Sequence, residues 1–165
     1  MVAPAIRSLL FTPGNHPAKV VKVFTAGADV AILDLEDAVA VSEKAATRSP
    51  VVEALKQPRE CLGYVRVNAT DTDYYAEDIR AVVGPWLDGI VLPKVENADQ
   101  LLAVDAELGK LEAASGVEPG AIDLIPILET AKGLAAVSDI AECGSRVRRL
   151  SFGAVDFAKD LGMKL

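Results

Sequence analysis

The chain is poor in the residues that hydrolases and transition-metal sites usually need: its 165 residues include one histidine, two cysteines and one tryptophan. With His16 the sole imidazole, a Ser-His-Asp hydrolase is disfavoured and a two-histidine metal site within one chain is ruled out. Cys61 and Cys143 match neither a metal-binding spacing nor a disulfide framework, and read as reduced thiols of a cytoplasmic protein. Trp86 and three tyrosines show no base-stacking pattern, and no glycine-rich nucleotide loop of the Walker or Rossmann kind is present. No apolar run approaches the roughly 20 residues of a membrane span. The first eight residues, with Pro4 and Arg7 and no apolar core, do not fit a secretory signal. Basic residues are the minority, 17 against 24 acidic for a formal charge of -7, which argues against nucleic acid or an anionic membrane surface as a partner. An anionic ligand would have to be met by a local basic cluster.

What is present is the composition of a globular protein, 51% hydrophobic and 25% charged, read as a single domain over residues 1–165. Short apolar, β-branched runs at 6–11, 30–35, 64–67, 90–92, 124–128 and 150–152 read as strands. They lack apolar/polar alternation, as expected of strands buried on both faces of a parallel sheet. Helical periodicity fills the intervals at 17–27, 43–56, 73–83, 97–115 and 131–142. Ser42 and Asn97 are expected to cap helix N-termini, and Gly27 and Gly116 to end helices. Alternating β and α leaves a (β/α)8 TIM barrel or an open doubly wound sheet.

The strand ends favour the barrel. Glu36 and Asp37, Arg66 and Asn68, Lys94 and Glu96, Glu129, and Asp156 follow five consecutive strands, whereas an open sheet collects its ligand groups at one switch point. A barrel needs eight strands and about 250 residues. Six βα units are counted here, so the chain is expected to be an incomplete barrel whose outer strands leave apolar surface and backbone unpaired.

Five segments carry chemistry. In LLFTPGNHP, residues 9–17, a strand enters a Pro13-Gly14 turn and a helix that Pro17 can begin. Such a turn is either ordinary punctuation or a set of backbone N–H groups for an anion. In AILDLEDAV, residues 31–39, three carboxylates crowd against an apolar strand. Either Asp37 caps a helix and Glu36 is a surface residue, or the group needs cations, a metal or hydrogen-bond donors. Arg66 in YVRVNATD has a fork suited to a carboxylate; a substrate anion and a salt bridge to Glu36 or Asp37 both satisfy it. Lys94 in GIVLPKVE is a solvated or a catalytic lysine. Glu129 and Asp156 end neighbouring strands, a pair able to hold Mg2+, which accepts few protein oxygens.

Together, Arg7 with LLFTPG, AGAD before AILDLEDAV, VRVN, GIVLPKVE, LIPILETAKGL and LSFGAVDFAKDLG resemble, in order and spacing, the hydroxyacid aldolase and citrate lyase beta-subunit-like family of the phosphoenolpyruvate/pyruvate barrel superfamily. The resemblance implies a Mg2+-dependent carbon-carbon lyase that cleaves a citryl-, malyl- or citramalyl-type thioester to acetyl-CoA and a 2-oxo acid. A class II type aldolase releasing pyruvate is the alternative within the superfamily, and a non-catalytic remnant that binds partners is the alternative of another class. It further implies Glu129 and Asp156 as metal ligands, Arg66 as the arginine on substrate oxygens, and Glu36 with Asp37 as the acidic pair beside them. Arg7, the Pro13-Gly14 loop and Lys22 would contact substrate or CoA, Glu129 would also touch substrate, and Lys94 would support the ligands. Relatives complete the site with an acidic residue from a neighbouring subunit, so a homotrimer or larger homo-oligomer is expected. Asn15 and His16 depart from the family's usual polar or basic pair, which leaves the acyl carrier open.

Overall fold

The computed structural model describes residues 5–144 and 146–164. Six strands form one parallel sheet in sequential order: β1 (Leu9–Pro13), β2 (Val30–Asp34), β3 (Leu62–Arg66), β4 (Gly89–Leu92), β5 (Asp123–Leu128) and β6 (Ser151–Phe152). Sequential order without reversal is the winding of a barrel, and the six strands curl into a half-barrel. Helices α1 (Pro17–Val23), α2 (Lys44–Leu55), α3 (Tyr75–Val82), α4 (Ala98–Ser115), α5 (Ala131–Ala135), α6 (Val137–Glu142) and α7 (Ala154–Asp160) fill the intervals. No described helix is long and apolar enough to cross a membrane.

Strand parity divides the core. Ala31, Leu33, Val65, Ile90, Leu92, Leu124 and Leu128 pack outward against the helices in the larger apolar cluster. Val30, Ile32, Tyr64, Val91, Ile125 and Ile127 form a smaller cluster on the concave face. Because side chains alternate, Asp34 and Arg66, two residues beyond Ile32 and Tyr64, must point the same way. The even run of apolar residues in β2, β4 and β5 is fully buried, as expected of central strands. The outer strands differ: Leu9, Leu10 and Phe11 of β1 are 41–44% exposed and Phe152 of β6 is 55% exposed, so apolar surface is concentrated at the two ends of the ladder.

Local signals account for most boundaries. Pro17 opens α1. Asn97 caps α4 in a capping box with Gln100, and Gly116 ends it at φ 71°. The expected cap at Ser42 is absent: Ser42 lies within a 3-10 turn, Val41–Glu43, and α2 begins without a side-chain cap. Gly27 adopts φ 80° but follows the end of α1 by several residues. At the other end of the strands, Tyr64 reaches across Gly89 to donate to Asp123 at 2.8 Å. A Cβ on Gly89 would stand 2.4 Å from the Tyr64 ring, so that crossing requires glycine.

Candidate active site

The polar cluster is built where β2, β3, β4 and β5 end. In the ladder Asp34 and Arg66 are directly paired positions of β2 and β3. The Arg66 guanidinium donates from Nε to Asp34 Oδ1 at 2.7 Å and from Nη2 to Oδ2 at 2.6 Å. Asp34 also accepts the backbone N–H groups of Glu36 and Ala38, both at 2.9 Å. Four bonds satisfy this buried carboxylate, so Asp34 shapes the turn after β2. Of the two readings left open for Asp37, capping is not the one taken: the next helical turn is preceded by Ala40, and Asp37 sits at the rim with its side chain exposed, 3.9 Å from Lys94 Nζ.

Glu36 is buried rather than superficial. Lys94 Nζ donates to its Oε1, and Arg66 Nη1 stands 3.1 Å from its Oε2 at ion-pair distance but without a hydrogen bond. Arg66 therefore has Asp34 as its main partner and Glu36 as its second. Burial alone would lower its pKa, but its bonds to Asp34 and the charges of Asp34, Glu36 and Asp37 raise it instead, so the guanidinium keeps its charge. The ring of Phe11 lies 5.1 Å from the guanidinium carbon.

Lys94 is the one described non-glycine residue with positive φ, at 53°. This unfavourable backbone conformation turns its amide toward Glu129, which accepts it at 2.9 Å, while its side chain reaches Glu36. Burial pushes the Glu129 carboxyl pKa up, and the Lys94 amide opposes this. The charges of Glu36 and Asp156 raise it further, against the smaller opposing charge of Lys94. The Lys94 amide is the only hydrogen bond Glu129 makes among the described residues. Asp156 lies in the first turn of α7 rather than at the end of β6, and accepts Lys159 Nζ at 2.7 Å. Asp160 anchors the far end of α7 by accepting the Ala131 amide at 2.7 Å.

The donor set fits Mg2+. Glu129 is a buried carboxylate that forms no ion pair among the described residues and lies near the like charges of Glu36 and Asp156, the environment that a divalent cation relieves. No group of three or more His, Cys, Asp or Glu side chains is arranged for a metal among the described residues, so this pair would leave most of the coordination sphere to water and ligand oxygens, as Mg2+ tolerates. Gly153 maintains the approach: a Cβ there would lie 2.6 Å from Glu129 Oε2 and 2.7 Å from Glu129 Cβ. Gly153→Ala is expected to displace the carboxylate and weaken Mg2+ binding by roughly 10–100-fold, read by calorimetric titration against wild type; unchanged affinity would remove Glu129 from the ligand set.

Two expected contacts lie elsewhere. Arg7 precedes β1, at the opposite end of the strand from the cluster, where its exposed side chain donates to Asp29 at 3.1 Å and its amide to the same carboxylate at 2.8 Å. Five residues of strand separate it from the carboxylates, so it is not brought to this site. The Gly14 amide is taken by Asp34 O at 2.9 Å, and a Cβ there would stand 2.7 Å from that oxygen and from Val51. Close packing thus accounts for the glycine, and this amide is not free for a ligand. Sequence reasoning missed Lys44, whose buried ammonium lies behind Glu36, and gave Asp34 no individual role. The signal for Asp34 was its even spacing from Ile32 and Val30; nothing in the sequence marked Lys44 as buried.

The curled parallel β/α sheet thus gathers an Arg-Asp pair and the Glu36 and Glu129 carboxylates where its strands end, the arrangement of a β/α-barrel protein with its polar site at the strand ends. Residues 7–165 match the HpcH/HpaI aldolase/citrate lyase family, and the chain belongs to it. It is 37% identical over 157 residues to citrate lyase subunit beta of Escherichia coli K12, covering 94% of this chain and 52% of that protein. It is 39% identical over 165 residues to an L-malyl-CoA/beta-methylmalyl-CoA lyase of Cereibacter sphaeroides, covering 96% and 51%. Among solved structures, the Mycobacterium tuberculosis citrate lyase beta subunit complexed with oxaloacetate and magnesium superposes with a TM-score of 0.75 at 32% identity, covering 95% of this chain and 62% of that one. Protein CitE from the same organism with magnesium, acetoacetate and coenzyme A gives a TM-score of 0.76 at 33% identity, covering 98% and 54%. The chain thus spans about half the length of the curated relatives it matches.

Proposed function

We propose that this chain carries the metal-binding half of a Mg2+-dependent lyase that cleaves a 3-hydroxyacyl-CoA thioester to acetyl-CoA and a 2-oxo acid. One observation carries the reading: among the described residues Glu129 is buried with no cationic side chain bonded to it, its one hydrogen bond coming from the Lys94 amide, and burial with the Glu36 and Asp156 charges raises its pKa against the opposing Lys94 amide and charge. Support comes from relatives named as citrate lyase and malyl-CoA lyase subunits, and from a neighbour solved with magnesium and coenzyme A.

In this reading Glu129 and Asp156 hold the ion, which supplies the positive charge that eases ionisation of the 3-hydroxyl. Arg66, fixed on one edge by Asp34, presents its remaining edge to the carboxylate of the substrate, displacing the weaker contact to Glu36. A preorganised donor of this kind is typically worth about 3 kcal/mol in the transition state. Glu36 stands between Arg66 and Lys94 before substrate binds and keeps Lys94 in place throughout, and Asp37 lies at the rim. Arg7 and Gly14 are left out of the proposed site. Residues 1–165 are taken as part of one barrel domain. The two free cysteines support a reducing, cytoplasmic setting, and a homotrimer or larger homo-oligomer belongs to the same reading.

The test is acetyl-CoA release from malyl-, citramalyl- and citryl-CoA, with and without a chelator. Chelator-sensitive release from at least one thioester is expected. The assay is made on the complete protein of which this chain is the metal-binding half: a folded complete protein that cleaves none would sink the proposal, and pyruvate released instead from a free hydroxy-oxo acid would replace it with the aldolase.

A further inference from the structure

Lys44 is the first residue of α2, and its ammonium is buried. It donates to Leu35 O at 3.0 Å, to Glu36 O at 2.7 Å and to Asn68 Oδ1 at 2.6 Å, so all three of its protons are used. Burial lowers the Lys44 pKa, partly offset by the charges of Glu36, Asp34 and Asp78. The oxygens it gathers come from both strand exits that carry the site: Leu35 and Glu36 follow β2, and Asn68 follows β3 two residues after Arg66. Asn68 in turn donates to Leu35 O at 3.0 Å and to Asp78 at 2.6 Å, and Arg48 donates to Asp78 at 2.7 Å. Helices α2 and α3 are thereby tied through a buried polar network to the segment that holds Glu36.

We infer that Lys44 is a positioning residue for the lyase site: it fixes the backbone of Leu35 and Glu36 against β3 so that the Glu36 carboxylate stands between Arg66 and Lys94. The inference rests on the proposed thioester chemistry. The two carbonyls and the amide oxygen converge on one buried point that a compact ammonium fills and a planar guanidinium does not. Removing it leaves Asn68 Oδ1 without a donor and takes one of two donors each from Leu35 O and Glu36 O, which keep Asn68 Nδ2 and the Val39 amide, so the segment that carries Glu36 is held less firmly to β3 and shifts.

The experiment compares Lys44→Met with Leu108→Ala, a core truncation on α4 remote from the site, at a temperature where both are folded. Lys44→Met is expected to lower kcat roughly a hundredfold with little change in KM, the scale of a misplaced catalytic geometry. Leu108→Ala is expected to leave kcat near wild type. In a Glu36→Gln background the added loss from Lys44→Met should largely vanish, since both act through one carboxylate. Full additivity, or an equal loss from Leu108→Ala, would reduce Lys44 to a structural residue. The crystal structure of Lys44→Met needs no activity. If Glu36 still bridges Arg66 and Lys94 there, the positioning role is overturned. If Glu36 has moved while the wild-type protein cleaves no thioester, only the proposed reaction falls.

Discussion

Arg146→Met is expected to destabilise the protein by about 3–5 kcal/mol, the cost of leaving a buried charge without its partner. Arg146 is 6% exposed and Glu112 fully buried. The guanidinium donates to Glu112 Oε1 at 2.7 Å and Oε2 at 2.9 Å, to Ile122 O at 2.7 Å and to Asp105 at 2.6 Å. Glu112 also accepts the amides of Gly120 and Ile122, both at 2.9 Å. One ion pair therefore fastens α4, the loop into β5 and the segment entering β6. A domain stable by only about 5–15 kcal/mol would lose a large share of that margin, visible as a lower urea midpoint.

The same pair sets a pH signature. Burial pushes the Glu112 pKa up, but the bonds from Arg146, Gly120 and Ile122 outweigh it and hold the pKa below the ordinary value of 4.5. A depressed folded pKa contributes stability that is present above the unfolded value and lost as pH falls through the folded one. In Arg146→Met the chief opposing cation is gone, so burial raises the folded pKa and the variant loses stability as pH rises past the unfolded value. The gap between wild type and variant should be wider at neutral pH than near pH 4. A gap that does not change with pH would mean that the loss comes from packing rather than from the charge.

The chain order of strands and helices was legible because central parallel strands leave continuous apolar runs, as Val30–Asp34 and Asp123–Leu128 do. At β1 the expected 6–11 shifted to Leu9–Pro13, since the Arg7 and Ser8 amides go to the Asp29 carboxylate. Short α7 was not anticipated, so Asp156 moved from a strand end to a helix. The partner of Arg66 was the harder matter. A single sequence does not give the register between strands, and only the pairing of Asp34 with Arg66 shows why Asp34, rather than Glu36 or Asp37, takes the bidentate role. Lys44 was invisible for a related reason: a lysine at the start of a helix normally points to water, and only the converging oxygens of two strand exits make a buried one tenable.

Glu129→Gln is expected to separate stability from activity. The amide keeps the volume of the side chain and an oxygen to accept the Lys94 amide, but it carries no charge. The raised pKa of Glu129 means that its ionised form is disfavoured by the fold, a carboxylate cost that grows as pH rises through the titration. Without metal, the variant should melt at or above the wild-type temperature near neutral pH. Mg2+ should raise the Tm of wild type by binding the native state alone and leave that of the variant unmoved. In the proposed reaction of the complete protein, acetyl-CoA release should fall by on the order of a thousandfold, since several kcal/mol of charge stabilisation would depend on the ion. A variant that melts lower than wild type in metal-free buffer, yet keeps its Mg2+ shift, would make Glu129 a structural carboxylate and move the metal elsewhere. The expected pattern instead reflects a site whose folding cost is offset only when the cation is bound.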